Sequence, residues 1–220
     1  MTDRNVQVEI YSDVICPWCY VGKRRLERAL CQVDNVAKVD VTWRPFQLNP
    51  TMPIQGMDRT VYLETKFGSL AVFHEMEERL LEAGRGEHIP FAFEKISRTP
   101  NTFQVHRVIW YAGIQGCQDA VVDQLFKGYF EEGLDIGSSS VLIELADRAG
   151  LNAAPFLESG EGIAEVRAEE STGRRLGIRA VPYFVFDRTH GVSGAQPVEV
   201  FVAAIQTVQA QDTRQRIVDD

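Results

Sequence analysis

The sequence predicts an α/β fold in which a large all-helical segment divides an α/β unit into two parts. Three observations lead to this class. Apolar and polar residues alternate near both ends of the chain, as they do in half-buried strands. A helical pattern lies between the first two predicted strands. From residue 58 to residue 176, apolar residues recur at spacings of three and four, which is typical of helices.

The N-terminal part is predicted to form a β-α-β unit. Residues 6–12 alternate and predict a strand, Asp13 to Pro17 turn into a helix that runs to about Val33, and residues 38–46 alternate again. This order favours parallel pairing of the two strands through a helical crossover.

Helical patterns fill the middle of the chain, and strands return after it. The predicted helices cover residues 58–83, 102–115, 118–131, 139–149 and 160–176. They are followed by two strands at 183–186 and 191–193, a turn from Asp187 to His190, a final helix at 197–210 and a solvated tail.

The domain organisation follows from this pattern. With 220 residues, of which 45% are hydrophobic, the chain can bury a core without cross-links. We predict one discontinuous α/β domain made of residues 1–57 and 177–220. Residues 58–176 are predicted to form a helical insertion domain.

The composition excludes some classes of partner. The formal net charge is -8, so we expect no general affinity for nucleic acid or for an anionic membrane surface. No run of apolar residues is long enough to predict a membrane span. The first residues lack the cationic start and apolar run of a secretory signal, so we expect a cytoplasmic protein. There, its four cysteines indicate redox, metal or packing roles rather than structural disulfides.

Cys16 and Cys19 stand three positions apart at the start of the first predicted helix. This spacing places them on adjacent turns, within reach of a disulfide. Cys16 faces the unpaired N–H groups and the positive end of the helix dipole, which favour the thiolate needed for exchange. Pro17 suits the first turn, where a missing N–H has no cost.

A helical projection separates the two thiols. At 100° per residue, Cys19 lies within the apolar stripe, while Cys16 lies at its edge. We therefore expect an accessible attacking thiol at Cys16 and a shielded resolving thiol at Cys19. The opposite face carries Arg24, Arg25 and Arg28, which predict a local basic patch.

Two other interpretations of the pair remain open, namely half of a zinc site and inert core cysteines. Zinc would need a second close pair of ligands, whereas the remaining candidate ligands are isolated along the chain: Cys31, Cys117, His74, His88, His106 and His190. The residues by themselves favour a redox pair, with no metal site.

Several segments resemble one known family. Residues 12–24, which contain the Cys16-Pro17-Trp18-Cys19 tetrapeptide, resemble the opening of DsbA-like thiol–disulfide oxidoreductases of the FrnE type. Further matches lie at residues 43–50, 101–102, 106–107, 125–130, 177–185 and 193–197. The chain is also similar to 2-hydroxychromene-2-carboxylate isomerases and kappa-class glutathione transferases. The resemblance covers nearly the whole chain in order.

The resemblance implies a thioredoxin fold with a large all-helical insertion, so residues 1–57 and 177–220 would form the thioredoxin-like domain. It implies that the Val181–Pro182 peptide is cis and faces the cysteine pair. Val181 would then hold an extended substrate segment, with Pro17 and Trp18 also at the substrate site. Since Trp18 stands where strongly oxidising relatives have a positively charged histidine, we expect a less oxidising centre.

The function predicted in this way is thiol–disulfide exchange with protein or small-molecule thiols and disulfides. Cys16 acts as nucleophile and Cys19 as resolving thiol. No cofactor is needed beyond the cysteine pair, and glutathione is a candidate substrate. The first alternative is a glutathione-dependent isomerase or transferase, although those relatives carry serine where Cys16 stands. The second is a non-enzymatic holdase.

Two further features are interpreted mainly as packing. His106 lies in an apolar stretch, and we expect it to be a hydrogen-bonded core residue rather than a catalytic one. Three residues follow the second strand, namely Phe46, Leu48 and Asn49. They could either pack in the β-α connection or border the active-site cleft, and the sequence favours neither role.

Overall fold

The computed structural model describes residues 5–34 and 37–219, with side chains described as far as Gln211. The elements run in chain order as β1 (Val6–Ser12), α1 (Pro17–Val33), β2 (Val39–Pro45), β3 (Met57–Asp58), α2 (Arg59–Phe67), α3 (Leu70–Gly86), β4 (Arg98–Thr99), α4 (Phe103–Ile114), α5 (Gln118–Phe130), α6 (Ser139–Arg148), α7 (Ala154–Glu158), α8 (Ile163–Arg175), β5 (Tyr183–Phe186), β6 (His190–Ser193) and α9 (Val198–Asp219).

Four of the strands form one mixed sheet in the order β2-β1-β5-β6. β1 and β2 are parallel and are joined by α1, as the β-α-β pattern predicts. β5 pairs antiparallel with both β1 and β6. In this register Ile10 of β1 lies between Trp43 and Phe184. The N-terminal and C-terminal parts of the chain therefore meet in the middle of the sheet.

The two faces of the sheet are covered differently. On one face, Val8 and Ile10 of β1 are buried together with α1 and α9, and Phe184 contacts Phe201 of α9. Because side chains alternate along a strand, Glu9 and Tyr11 project from the other face, where α8 packs against β2. The face that carries α1 is the one that positions the cysteine pair.

The segment between β2 and β5 is mostly helical, as predicted, but its first predicted helix is two helices. The pattern at 58–83 divides into α2 and α3. Gly68 ends α2 with a φ of +84°, a conformation that favours glycine. The Ser69 side chain then accepts a hydrogen bond from the Val72 N–H and begins α3. Spacing of apolar residues does not detect such a break, because both helices keep the same period.

Other differences concern short elements and helix ends. The sequence did not predict α7, nor the two-residue ladder of β3 and β4. The last helix extends to Asp219 rather than ending near residue 210. In the described part of the chain, no helix is both long and apolar enough to cross a membrane.

The buried core continues from the sheet into the helical segment. Tyr20 of α1 stacks on Phe126 of α5 with ring centroids 5.0 Å apart, and Trp43 of β2 meets the same ring edge-on. The predicted boundary between residues 57 and 58 falls inside β3. The α/β class with a helical insertion is confirmed, whereas the division into two domains stays a prediction.

Candidate active site

The cysteine pair lies where β1 passes into α1. The Cys16 N–H donates to the Asp13 carbonyl at 3.0 Å, which closes the turn after the strand. Cys16 is the N-cap residue of α1 and Pro17 is its first residue, as predicted. The Cys19 N–H donates to the Cys16 carbonyl at 3.0 Å. Both thiols are free, and they occupy the first turn of the helix.

The two thiols differ in burial less than the sequence predicts. Cys19 is 1% exposed, in agreement with a shielded resolving thiol, but Cys16 is only 7% exposed. The expected accessible thiol is therefore largely covered, because a neighbouring loop lies over it. Burial raises the pKa of the Cys19 thiol well above its ordinary value, and the Cys16 thiol adds to this increase. Cys19 is thus held in its neutral form.

The covering loop is the one that the family resemblance indicates. The Val181–Pro182 peptide is cis, as predicted. The Cys16 Sγ lies 3.5 Å from the Val181 carbonyl oxygen, to which the thiol donates a hydrogen bond. A Cβ added at Gly22 of α1 would lie 3.1 Å from Pro182 Cγ and 3.1 Å from Phe184 Cζ. The absence of a side chain at Gly22 therefore allows the loop to approach the helix that carries both thiols.

Trp18 presents an exposed apolar surface next to Cys19 in the sequence. Its side chain is 39% exposed, while Pro17 before it is partly buried. An exposed indole beside the cysteine pair is a flat apolar surface of the kind to which hydrophobic groups bind. The substrate-binding roles of Pro17, Trp18, Val181 and Pro182 remain predictions.

A buried acidic and basic pair lies directly behind the turn. Asp13 and His106 are both buried, and Asp13 Oδ1 lies 3.5 Å from His106 Nε2. Asp13 Oδ2 accepts a hydrogen bond from the Leu48 N–H at 2.8 Å and one from the Thr102 hydroxyl at 3.4 Å. His106 is therefore a core residue, as expected, but its Nε2 makes no hydrogen bond with the described residues.

The segment after β2 and the helix α2 complete the surroundings of Cys16. Asn49 Nδ2 donates to the Tyr62 hydroxyl at 3.1 Å. Burial raises the pKa of Tyr62, and the charges of ionised Asp13 and Cys16 contribute to the same increase. The Leu48 N–H donates to Asp13 Oδ2 and the Phe46 N–H to the Ser12 carbonyl, so this segment packs against the turn before Cys16, and its role at the active-site cleft stays a prediction.

The predicted basic patch on α1 is neutralised. Arg24 pairs with Glu27 at 2.9 Å and with Asp123 at 2.7 Å. Arg25 and Arg28 share the carboxylate of Glu87 at 2.8 and 2.9 Å. The helical projection shows only the residues of α1, so it could not include carboxylates that α5 and the segment after α3 supply. The predicted local basic patch is therefore offset by carboxylates.

A cavity of about 600 Å³ opens on the other side of the sheet, between β5, β6 and α8. Tyr11, Arg44, Leu176 and Tyr183 are among its lining residues, and neither Cys16 nor Cys19 lines it. One of its charged residues, Arg44, is paired with Glu9 and Glu169. We place the candidate active site at the cysteine pair, because that is where the reactive groups converge.

Sequence reasoning missed part of this site. Asp13 lies in the segment that resembles the family, next to the helix start, but no role was assigned to it. Tyr62 and Thr102 lie far along the chain from Cys16. Thr102 belongs to a segment that resembles the family, whereas Tyr62 carries no local signal. Cys31 and Cys117 are distant from the pair along the chain; Cys31 is exposed and Cys117 partly buried. Among the residues that the model describes, no group of three or more His, Cys, Asp or Glu side chains is arranged to hold a metal ion.

Comparison with known proteins agrees with this geometry. The family model for DSBA-like thioredoxin domains matches residues 7–206. A probable DsbA oxidoreductase from Streptomyces coelicolor has 34% sequence identity and a TM-score of 0.86, over 94% of this chain and 91% of that one.

Two more distant structures show the same fold. A 2-hydroxychromene-2-carboxylate isomerase has 14% identity and a TM-score of 0.69, over 95% of this chain and 98% of that one. The cytosolic disulfide reductase DsbM from Pseudomonas aeruginosa, determined with glutathione, has 20% identity and a TM-score of 0.64, over 93% and 99%. The thioredoxin fold with a helical insertion is confirmed, while the FrnE-type subfamily stays a prediction. The chain belongs to the DsbA-like family of oxidoreductases with a thioredoxin domain.

Proposed function

We propose that this protein is a thiol–disulfide oxidoreductase in which Cys16 is the nucleophile and Cys19 the resolving thiol. The observation that carries the proposal is the pairing of two free thiols at the start of α1 with the Val181 carbonyl, 3.5 Å from the Cys16 sulfur. Cys16 lies at the N-terminus of α1, whereas burial raises the pKa of the Cys19 thiol well above its ordinary value. Family membership supports the same chemistry.

The reaction proposed is a two-step exchange. The Cys16 thiolate attacks a substrate disulfide, forms a mixed disulfide and releases one substrate thiolate, which takes up a proton. Cys19 then loses its proton and attacks the Cys16 sulfur, which forms the Cys16–Cys19 disulfide and releases the second substrate thiol. Two electrons pass from the protein to the substrate, and the oxidised protein runs the reverse reaction.

The proposed substrates are protein or small-molecule thiols and disulfides. The Val181 carbonyl lies beside the attacking sulfur, so an extended polypeptide segment can pair with the backbone there. Trp18 supplies an exposed aromatic surface next to it. Glutathione is a second candidate substrate, and the structural similarity to the glutathione-bound reductase DsbM supports it. No cofactor beyond the cysteine pair is proposed.

A cytoplasmic location belongs to the same proposal, and the cytosolic reductase among the structural relatives supports it. The reduction potential of cytosolic glutathione is low enough to keep a cysteine pair that is not strongly oxidising in its dithiol form. The Cys16–Cys19 reduction potential, measured against glutathione buffers, tells whether the protein reduces or oxidises its substrates. A value near about −270 mV indicates a reductase, and one near about −120 mV indicates an oxidant.

Insulin reduction with a small dithiol as regenerating agent tests the proposal. The wild-type protein should accelerate the reduction, and replacement of both Cys16 and Cys19 by serine should abolish the acceleration. Cys31→Ser and Cys117→Ser are the matched controls and should retain it. Undiminished reduction by the double variant would remove the proposed mechanism.

The same fold also carries glutathione-dependent isomerase chemistry, as the similarity to the 2-hydroxychromene-2-carboxylate isomerase indicates. The intact pair of thiols favours exchange, because an enzyme that activates the thiol of bound glutathione needs none of its own. A glutathione-conjugation assay distinguishes the two: conjugation that survives Cys16→Ser would favour the alternative.

A further inference from the structure

A groove of about 410 Å³ runs along the C-terminal half of α8, and arginines supply most of its charge. Its lining residues are Arg167, Glu170, Ser171, Arg174 and Arg175 of α8, together with Pro50 of the segment after β2. Three of these side chains are positive and one is negative. The formal net charge of the whole chain is -8, so this groove is positive against an acidic background.

The one carboxylate in the groove is largely occupied. Glu170 pairs with Arg174 at 2.9 Å, and it also accepts a hydrogen bond from the Gln47 N–H at 3.1 Å. Its side chain is only 13% exposed, whereas that of Arg174 is 44% exposed. Glu170 therefore neutralises one arginine and leaves the others without a counter-charge.

The other two arginines of the groove are exposed and have no carboxylate partner among the described residues. Arg167 lies over the Phe103 ring at 5.4 Å, and Arg175 donates to the Thr172 hydroxyl at 2.9 Å. Positive charge in the last turn of a helix is stabilised by the helix dipole, which explains Arg175 without a ligand. It does not explain Arg167, which lies two turns earlier.

The groove adjoins the loop that covers the reactive thiol. Arg174 donates to the Gln47 carbonyl at 3.0 Å, and its guanidinium lies 4.7 Å over the Phe46 ring. Val181 packs against the small apolar cluster that contains Phe46. The Val181 carbonyl lies 3.5 Å from the Cys16 sulfur. Only this apolar cluster therefore separates the groove from the covering loop.

A further exposed arginine continues the positive surface toward Val181. Arg179 lies two residues before Val181, so the two backbones are at most about 7 Å apart. Arg179 makes no ion pair with the described part of the chain. Arg175 lies six residues before Val181, at most about 22 Å away. At about 3.3 Å per residue, roughly seven residues of an extended segment span that distance.

We propose that the groove on α8, together with Arg179, binds acidic side chains of the protein substrate whose disulfide Cys16 attacks. The inference rests on the proposed function and names its substrate class, namely polypeptides with Asp or Glu within about seven residues of the reactive cysteine. Guanidinium groups bind carboxylates through paired hydrogen bonds. An acidic protein repels acidic substrates at a distance, so a local positive surface is needed to draw them to the thiols in one orientation.

The first measurement is binding without thiol exchange. A rhodamine-labelled peptide has serine in place of the reactive cysteine and glutamates on both sides of it, and a matched peptide has glutamines instead. Fluorescence anisotropy with the full-length wild-type protein gives the Kd of each. At an ionic strength of about 0.01 M, the glutamate peptide should bind at least about fivefold more tightly. About 1 M salt should remove the difference, because the Debye length is then about 3 Å.

Variants of the groove locate the effect. Arg167→Gln combined with Arg175→Gln should reduce the preference for glutamate to within about twofold, whereas Arg167→Lys combined with Arg175→Lys should keep most of it, because the charge remains. Arg79→Gln combined with Arg85→Gln is the matched control. Both of these residues are exposed on α3, and the pair changes the net charge by the same amount. This control should keep the full preference.

The same comparison applies to turnover. With matched peptides that carry a disulfide, the glutamine variant of the groove should raise the KM for the glutamate peptide at least about threefold and leave kcat within about twofold of wild type. A merely structural role of the arginines would affect both peptides equally.

Equal binding of the two peptides by the wild-type protein would overturn the proposal, and so would an equal loss of preference in the α3 control. A thymidine oligonucleotide of matched length that binds as tightly as the glutamate peptide would also overturn it, since the groove would then recognise phosphates. The binding assay needs no thiol chemistry. A protein that fails to reduce insulin but binds the glutamate peptide through the groove would lose the proposed function and keep a site for acidic polypeptides.

Discussion

Gly22 offers a direct test of how the thiol pair is positioned. A Cβ at this site would lie 3.1 Å from both Pro182 Cγ and Phe184 Cζ, whereas carbon atoms in contact prefer about 3.5 to 4.0 Å. Alanine requires a movement of a few tenths of an ångström, and its better helix propensity, about 1 kcal/mol, offsets the cost. Gly22→Ala should therefore be nearly neutral for stability. Gly22→Val places two more methyl groups in the same space.

Overpacking of this kind destabilises by about 1 to 3 kcal/mol and displaces the loop that carries Val181. Its carbonyl is 3.5 Å from the Cys16 sulfur, and a displacement of about 1 Å near reacting groups can cost about a hundredfold in rate. We expect Gly22→Val to lose at least about tenfold in insulin reduction, with a modest loss in urea-unfolding free energy.

Gly86→Val is the matched control, because Gly86 is also helical and nothing lies within 4 Å of its added Cβ. It should reduce insulin at the wild-type rate. Full activity in Gly22→Val, or an equal loss in Gly86→Val, would refute the argument that the contact between α1 and the Pro182 loop positions the thiols.

Three further predictions concern the thiols and the core around them. Brief iodoacetamide treatment at pH 6 should label Cys16 before the other three cysteines, and the Cys19→Ser variant should trap long-lived mixed disulfides. Burial raises the pKa of Cys19, so first labelling of Cys19 would reverse the assigned roles. Tyr20→Phe removes a 2.6 Å hydrogen bond to the Glu131 carboxylate and should lower the free energy of unfolding in urea by about 1.5 to 3 kcal/mol. Tyr111→Phe is the control. It removes no side-chain hydrogen bond among the described residues and should lower that free energy by less than about 0.5 kcal/mol. Burial raises the pKa of Tyr129 to about 12, so the unfolded chain loses the phenol proton at a lower pH than the folded protein does. The free energy of unfolding should therefore fall by up to about 3 kcal/mol between pH 10 and 12. A Tyr129→Phe variant that shows the same loss of stability at alkaline pH would contradict this.

The sequence pattern predicts most elements because their signals are local. The strands at 6–12 and 183–186 agree with β1 and β5, and the helix from Pro17 to Val33 agrees with α1. The divided helix at 58–83 and the short α7 are missed, since one glycine with positive φ or one turn of helix changes little in the spacing of apolar residues. Cap chemistry, rather than periodicity, carries that information.

The sequence by itself determined the α/β class and the cysteine pair with its place at a helix start. The reason is that a three-residue spacing, a proline and an apolar stripe act within one helix. Only the tertiary structure decided what surrounds the pair. The Val181 carbonyl covers Cys16, Asp13 and His106 face each other without a hydrogen bond, and carboxylates from other elements neutralise the arginines of α1. Burial and charge pairing depend on residues that are far apart in the chain, and no local pattern records which of them come together.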